Sequence, residues 1–169
     1  MKTQYCKLCL SLIVCLTFST TLYAKEDSDI FGGKDSIFFF GYLQHVVNDS
    51  RNKEGNMELI GYSKELSYGK FIFDTGVNTY IDSYYVRSYT LFSNISYENY
   101  RYKIVTPMIG IGITNKGKDY DTSTRQTYCF VIPKVRIGAR DGIFVDLSGL
   151  PKIGDITNGW LAIELGYQW

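Results

Sequence analysis

His45 is the chain's only histidine, and the Asp-Ser dipeptide occurs four times, at Asp27-Ser28, Asp35-Ser36, Asp49-Ser50 and Asp82-Ser83. A histidine, a carboxylate and a hydroxyl are the set that acyl transfer requires. An oxygen nucleophile must lose its proton as it attacks a carbonyl, an imidazole takes that proton, and a carboxylate orients the imidazole. At this frequency the dipeptide alone carries no information. Whether His45 meets one of its copies depends on the elements that carry them.

Those elements announce themselves most clearly at the C-terminus. In Trp160–Trp169, Leu161, Ile163, Leu165, Tyr167 and Trp169 share one parity, and Trp160, Ala162, Glu164, Gly166 and Gln168 the other. A strand has period two, so this segment has one apolar and one mixed face. Ending on an aromatic of the apolar face is how outer-membrane β-barrels characteristically finish. The same division recurs upstream, with Phe71, Phe73 and Val77 or Ile109, Ile111 and Ile113 against Asp74, Asn78, Gly110 and Gly112. The 15 Tyr, 10 Phe and 2 Trp fall in short segments separated by polar turns. Eight strands are predicted, near 37–47, 57–67, 70–80, 84–97, 102–114, 126–138, 143–148 and 159–169. Lipid outside and a mixed lumen inside explain the two faces; a soluble sandwich or lipocalin-like barrel would invert them. The predicted fold is therefore all-β, an eight-stranded antiparallel transmembrane β-barrel of the outer membrane.

The N-terminus supports that address. A short basic start precedes the apolar Leu8–Leu22, and Leu22-Tyr-Ala24 precedes a charged run, so residues 1–24 read as a secretory signal peptide. Residues 25–36 form a short periplasmic segment and 37–169 the barrel. Val14 is too bulky before Cys15 for a lipoprotein site. Cleavage removes three of the four cysteines and leaves Cys129, so no internal disulfide is expected. It also leaves 16 basic against 17 acidic side chains, which gives no footprint for nucleic acid. One histidine and one cysteine provide no metal-ligand spacing, and neither metal nor cofactor is expected.

Strand direction then locates the chemistry. Connections at Tyr68-Gly69, Asn99–Arg101 and Arg140–Gly142 are short, whereas Asn48–Asn56, Asn115–Arg125 and Gly149–Asn158 are longer and polar. Outer-membrane barrels place short turns in the periplasm and longer loops outside. Odd-numbered strands then run outward, so His45 and Asp82-Ser83 both reach the external rim. An eight-stranded barrel is narrow, and groups on one rim can approach across its mouth.

These residues carry a resemblance. Leu43-Gln-His45, Tyr80-Ile-Asp82-Ser83-Tyr84-Tyr85, Phe130-Val-Ile-Pro133, Gly142–Pro151 and Asn158–Trp169 resemble the lipid A palmitoyltransferase (PagP) family of Gram-negative outer membranes. The resemblance implies that His45, Asp82 and Ser83 are catalytic. It further implies that Pro133 and Pro151 break the barrel's hydrogen bonding and let lipid in sideways, since proline cannot donate to a ladder. The family's amphipathic N-terminal helix is expected to be missing or much reduced, with Gly32-Gly33 before the first strand. The residue at the floor of its acyl pocket falls, by ungapped count, at Asn94. External Arg51, Lys116, Lys118 and Arg125 are candidates for gripping the anionic substrate.

The expected function is transfer of a palmitoyl or similar chain from an outer-leaflet phospholipid to lipid A of lipopolysaccharide, by a monomer in the membrane. Two alternatives use the same barrel: a non-enzymatic surface protein, and a lipid A deacylase that releases free fatty acid.

Overall fold

The computed structural model describes residues 33–46, 55–98, 104–117, 124–139, 141–153 and 157–169. The expected signal peptide, and the periplasmic segment up to residue 32, lie outside the described residues. Eight long antiparallel strands close on themselves: β1 (Asp35–His45), β3 (Ile60–Tyr68), β4 (Phe71–Ile81), β5 (Arg87–Tyr97), β6 (Val105–Gly117), β7 (Arg125–Gly138), β8 (Gly142–Ile153) and β9 (Thr157–Gln168). Closure is made by β1 against β9, from Ser36↔Gln168 to His45↔Trp160. A two-residue strand, β2 (Gly55–Asn56), pairs with β1 at Tyr42 and Leu43.

All eight predicted strands are present; the second, fourth and fifth begin about three residues later than expected, at Ile60, Arg87 and Val105, and two other bounds bear on the site. The first begins at Asp35, inside the segment expected to precede the barrel. The seventh does not stop at residue 148 but continues through Gly149 and Pro151 to Ile153. Proline survives there because the ladder to β9 steps from Leu150↔Trp160 to Lys152↔Asn158 and asks no N–H of Pro151.

The barrel is inside-out. Val77, Ile109, Val131 and Ile143 are 55–66% exposed, while Glu65, Asp74, Lys134, Arg136 and Asp146 are buried. An apolar outside and a barrel closed by β1 against β9 suit a lipid surround, where backbone polar groups are met strand to strand; this is the construction of outer-membrane barrels. Tyr62, Tyr68, Phe71, Tyr167 and Trp169 are exposed around the rim that carries the described chain ends. Phe71 meets Tyr97 edge-on at 5.3 Å, and Tyr167 stacks on Trp169 at 6.2 Å. Together they form the aromatic girdle of one membrane interface.

One irregularity sets the aim of the first strand. Pairing with β9 steps from Phe38↔Gly166 to Phe40↔Leu165, so Phe39 is an extra residue in β1. A bulge of this kind reverses which parity points inward. Before it Ser36 and Phe38 are buried; after it Gly41 is buried and Tyr42 and Gln44 are exposed. His45 therefore falls on the inward parity.

The lower lumen is filled by charge. Arg136 donates to both Asp146 oxygens at 2.8 and 2.9 Å and to Asp74 Oδ2 at 2.8 Å. Lys134 Nζ bonds Glu164 and lies 3.5 Å from Asp146. The Arg136 guanidinium sits 3.8 Å from the Phe144 ring centroid, and Phe38 packs edge-on against Phe92 and Phe144. Paired charges and edge-packed rings thus plug the barrel beneath its open half.

Removing one member of such a network strands its partners in a low-dielectric site. Arg136→Met leaves Asp74 without its cation and Asp146 with Lys134 alone, and is expected to cost about 3–5 kcal/mol. The urea midpoint for unfolding from phospholipid vesicles measures this, and an unchanged midpoint contradicts it.

Candidate active site

Three local structures converge on the loop end of the barrel. The first is the outward end of β1, where the bulge at Phe39 leaves His45 level with Trp160 and facing the lumen. The second is the β4–β5 turn, Asp82 to Val86. Asp82 N donates to Val86 O at 2.9 Å and Tyr85 N to Asp82 O at 3.0 Å, with Tyr85 held at φ 62°. A tyrosine in the left-handed region is strained unless its surroundings over-determine it. The Asp82 side chain does so. Its Oδ1 accepts from Tyr84 N at 2.9 Å and Val86 N at 3.0 Å, and its Oδ2 accepts from Ser88 Oγ and Gly117 N, both at 2.8 Å. The third is the segment after β2, where Met57 N bonds Gly41 O at 2.7 Å and Ile81 N bonds Met57 O at 2.6 Å. Met57 thereby ties the end of β1 to the end of β4.

The result is a contact between residues 38 apart in sequence: His45 Nε2 lies 2.9 Å from Ser83 Oγ. With the ring protonated on Nδ1, Nε2 accepts from the hydroxyl and is placed to take its proton. Asp82 has a different place from the one expected. Four donors occupy its carboxylate and none is His45, so it fixes the turn that presents Ser83 instead of orienting the imidazole.

Below the pair lies a cavity of about 290 Å³, lined by His45, Ser83, Lys116, Tyr80, Phe130 and Trp160 near its mouth and by Ile132, Ala162, Ser148 and Glu164 further in. That volume is at the lower end of ordinary ligand sites. Gly112 makes room for one wall: a Cβ there would stand 2.5 Å from Phe130 Cζ. The lining is mainly apolar, with Tyr80, Thr90 and Thr114 hydrogen-bonded to one another in the wall.

The wall itself is discontinuous beside this cavity. The ladder between β7 and β8 runs from Gly138↔Phe144 to Lys134↔Ser148 and ends there, although both strands continue toward the loop rim. Pro133 is the residue at which pairing ceases on β7, and Pro151 lies in the continuing part of β8. The cavity residues Tyr128, Phe130, Ile132 and Leu150 belong to these stretches.

Other expected site residues are distributed differently. Asn94 does not line the cavity; it is buried on β5, with Nδ2 3.4 Å from Asp74 Oδ2, within the charged plug. An ungapped count, which puts Asn94 at the pocket floor, cannot follow differences in turn length. Arg125 is also outside the cavity. It bonds Asn115 Oδ1 and Arg87 O on the outer face and lies 5.5 Å from the Tyr89 ring. Lys116 lines the cavity, whereas Arg51 and Lys118 lie outside the described residues. Among the described residues no cluster of His, Cys, Asp and Glu converges as a metal site.

Sequence reasoning overlooked Lys134 and Arg136, whose signal was present: two charges at i and i+2 on β7, opposite in parity to Val135 and Ile137.

No protein-family model and no curated protein matches the sequence. Among solved structures the chain is similar to Neisserial surface protein A, with 12% identity, a TM-score of 0.41, and coverage of 80% of this chain and 93% of that one. It is also similar to the Yersinia pestis outer membrane protein Ail in a phospholipid bilayer nanodisc, with 15% identity, a TM-score of 0.42, and coverage of 81% and 99%. These are likenesses of general shape and say nothing about the chemistry of this site.

If Asp82 holds the turn, its replacement must register in stability. Asp82→Asn turns one acceptor oxygen into a donor facing Ser88 Oγ and Gly117 N, at an expected cost of about 1–3 kcal/mol. Urea unfolding from vesicles reads the difference; a midpoint equal to that of the unaltered protein argues against the role.

Proposed function

We propose that this outer-membrane barrel is an acyltransferase that moves a palmitoyl or similar chain from an outer-leaflet phospholipid to lipid A or a related glycolipid. The observation that carries the reading is the 2.9 Å contact between His45 Nε2 and Ser83 Oγ at the mouth of a largely apolar cavity. In the proposed reaction Ser83 Oγ attacks an ester carbonyl of the phospholipid while its proton passes to His45 Nε2. The departing glycerol oxygen takes that proton and leaves as lysophospholipid. A glycolipid hydroxyl gives its proton to His45 and attacks the acyl-serine; as the new ester forms, the C–Oγ bond breaks and Ser83 Oγ takes that proton back. Atoms and protons balance without metal or cofactor.

Two further observations support the reading. The unpaired stretch beyond Pro133 and Ser148 offers a lateral route for a lipid chain, and it borders the cavity. The charged plug closes the lumen beneath, so an acyl chain entering from the membrane meets a floor and not a pore.

A second reading is a barrel that binds lipid or presents its loops without catalysis. What favours it is Asp82, whose carboxylate is engaged in the turn and not against the histidine.

Expression in a Gram-negative host lacking its own palmitoyltransferase, followed by mass spectrometry of lipid A, separates these. Transfer predicts a gain of one acyl chain, with the rate lowered about 10²–10⁴-fold in His45→Ala and strongly in Ser83→Ala. Loss of a chain would mark a deacylase, and an unchanged spectrum from a folded, membrane-inserted barrel would mark the non-catalytic reading.

A further inference from the structure

Of the basic residues expected at the external rim, Lys116 alone among those described lines the cavity, and its surroundings are unusual. Its Nζ lies 5.0 Å from the Tyr128 ring centroid and 5.8 Å from that of Tyr84. Aromatic faces attract an ammonium, but they do not replace a counter-ion in a partly desolvated site. Among the described residues no carboxylate stands within ion-pair distance of it. Asp82, whose charge Lys116 feels, already accepts from four donors. The two rings hold the ammonium at the cavity mouth, in one wall with Ser83, which adjoins Tyr84 in sequence. On the other side Lys116 pairs with Gln126 of β7, the strand that borders the unpaired stretch.

We infer that Lys116, steadied between Tyr84 and Tyr128, is the anion-binding group of this cavity and takes the phosphate diester of a lipid whose acyl chain lies below. The inference rests on the cavity being an acyl-chain site and adds what selects the lipid. A glycerophospholipid carries its phosphate one glycerol away from its ester carbonyls. A cation at the rim of an apolar slot therefore fixes both the headgroup and the depth to which the chain is drawn. Neither Lys116 nor its two rings touches the reacting atoms in this scheme; they position the donor.

The test uses the full folded barrel in uncharged detergent micelles at physiological salt. A Trp169→Phe background leaves Trp160, of the chain's 2 tryptophans, to report on the cavity it lines. Two probes that have no acyl ester for Ser83 to attack are compared, hexadecylphosphoglycerol and hexadecyl maltoside. The phosphate probe is expected to bind about tenfold more tightly, as one charge-assisted contact allows. Lys116→Met should abolish the preference and Lys116→Arg should keep it. Lys70→Met, at the opposite rim, should leave it unchanged. Heat-modifiable mobility confirms that each variant is folded, and retention by Lys116→Arg guards against a general defect at this position. A preference that persists in Lys116→Met overturns the inference while leaving the acyl-chain cavity standing. Displacement of the phosphate probe by inorganic phosphate at equal concentration overturns the lipid as its source. Failure of both probes to bind removes the acyl-chain reading itself.

Discussion

A single extra residue in the first strand governs what this barrel can do. Side chains on a strand alternate, so without the bulge at Phe39 the parity that buries Ser36 and Phe38 would carry on through Phe40, Tyr42 and Gln44. His45 would then face lipid. With the bulge, Phe39 and Phe40 fall together on the outer side, where two aromatic rings suit the membrane, and Gly41, Leu43 and His45 turn inward. Everything at the loop end follows: the imidazole reaches Ser83, Leu43 lines the cavity, and Gly41 lies where Met57 can cross and tie β1 to β4. Bulges near functional sites commonly re-aim a side chain in this way.

The other half of the barrel answers a different demand. Eight strands leave too little room for an open channel, and the interior of this one is filled by Phe38, Phe92, Phe144 and the ion network around Arg136. Buried charges are costly to desolvate, and a network is tolerated only where each member finds partners of good geometry. Arg136 meets that condition through a bidentate contact with Asp146, a further bond to Asp74 and the face of Phe144. The wall is paired beside the plug and open at the loop end: β7 and β8 are laddered beside it and part above it. A laddered wall below and an unpaired wall above divide the molecule into a floor and a receptacle.

Much of this was legible in the sequence. The parity of Leu161 to Trp169 marked an apolar outer face, and in the structure Leu161, Tyr167 and Trp169 are exposed while Ala162, Gly166 and Gln168 are buried. Counting strand directions from it placed His45 and Ser83 on one rim. The phase of β1 was not legible, because Phe38, Phe39 and Phe40 are all apolar and a run without alternation cannot show where the parity changes. The outer part of β8 was missed because Gly149–Asn158 reads as one polar connection, whereas the strand continues there on β9 alone and its edge toward β7 asks no donor of Pro151. Asp82 was read as a partner for histidine. An aspartate opening a tight turn can equally cap backbone amides, and only the turn geometry decides between the two roles.

The inward aim of His45 is open to direct measurement by nuclear Overhauser contacts in lipid nanodiscs. The bulge predicts cross-peaks between the His45 ring and the Ser83 methylene, with the rings of Phe39 and Phe40 both in contact with lipid acyl protons. Cross-peaks from the His45 ring to lipid chains, with none to Ser83, would contradict it.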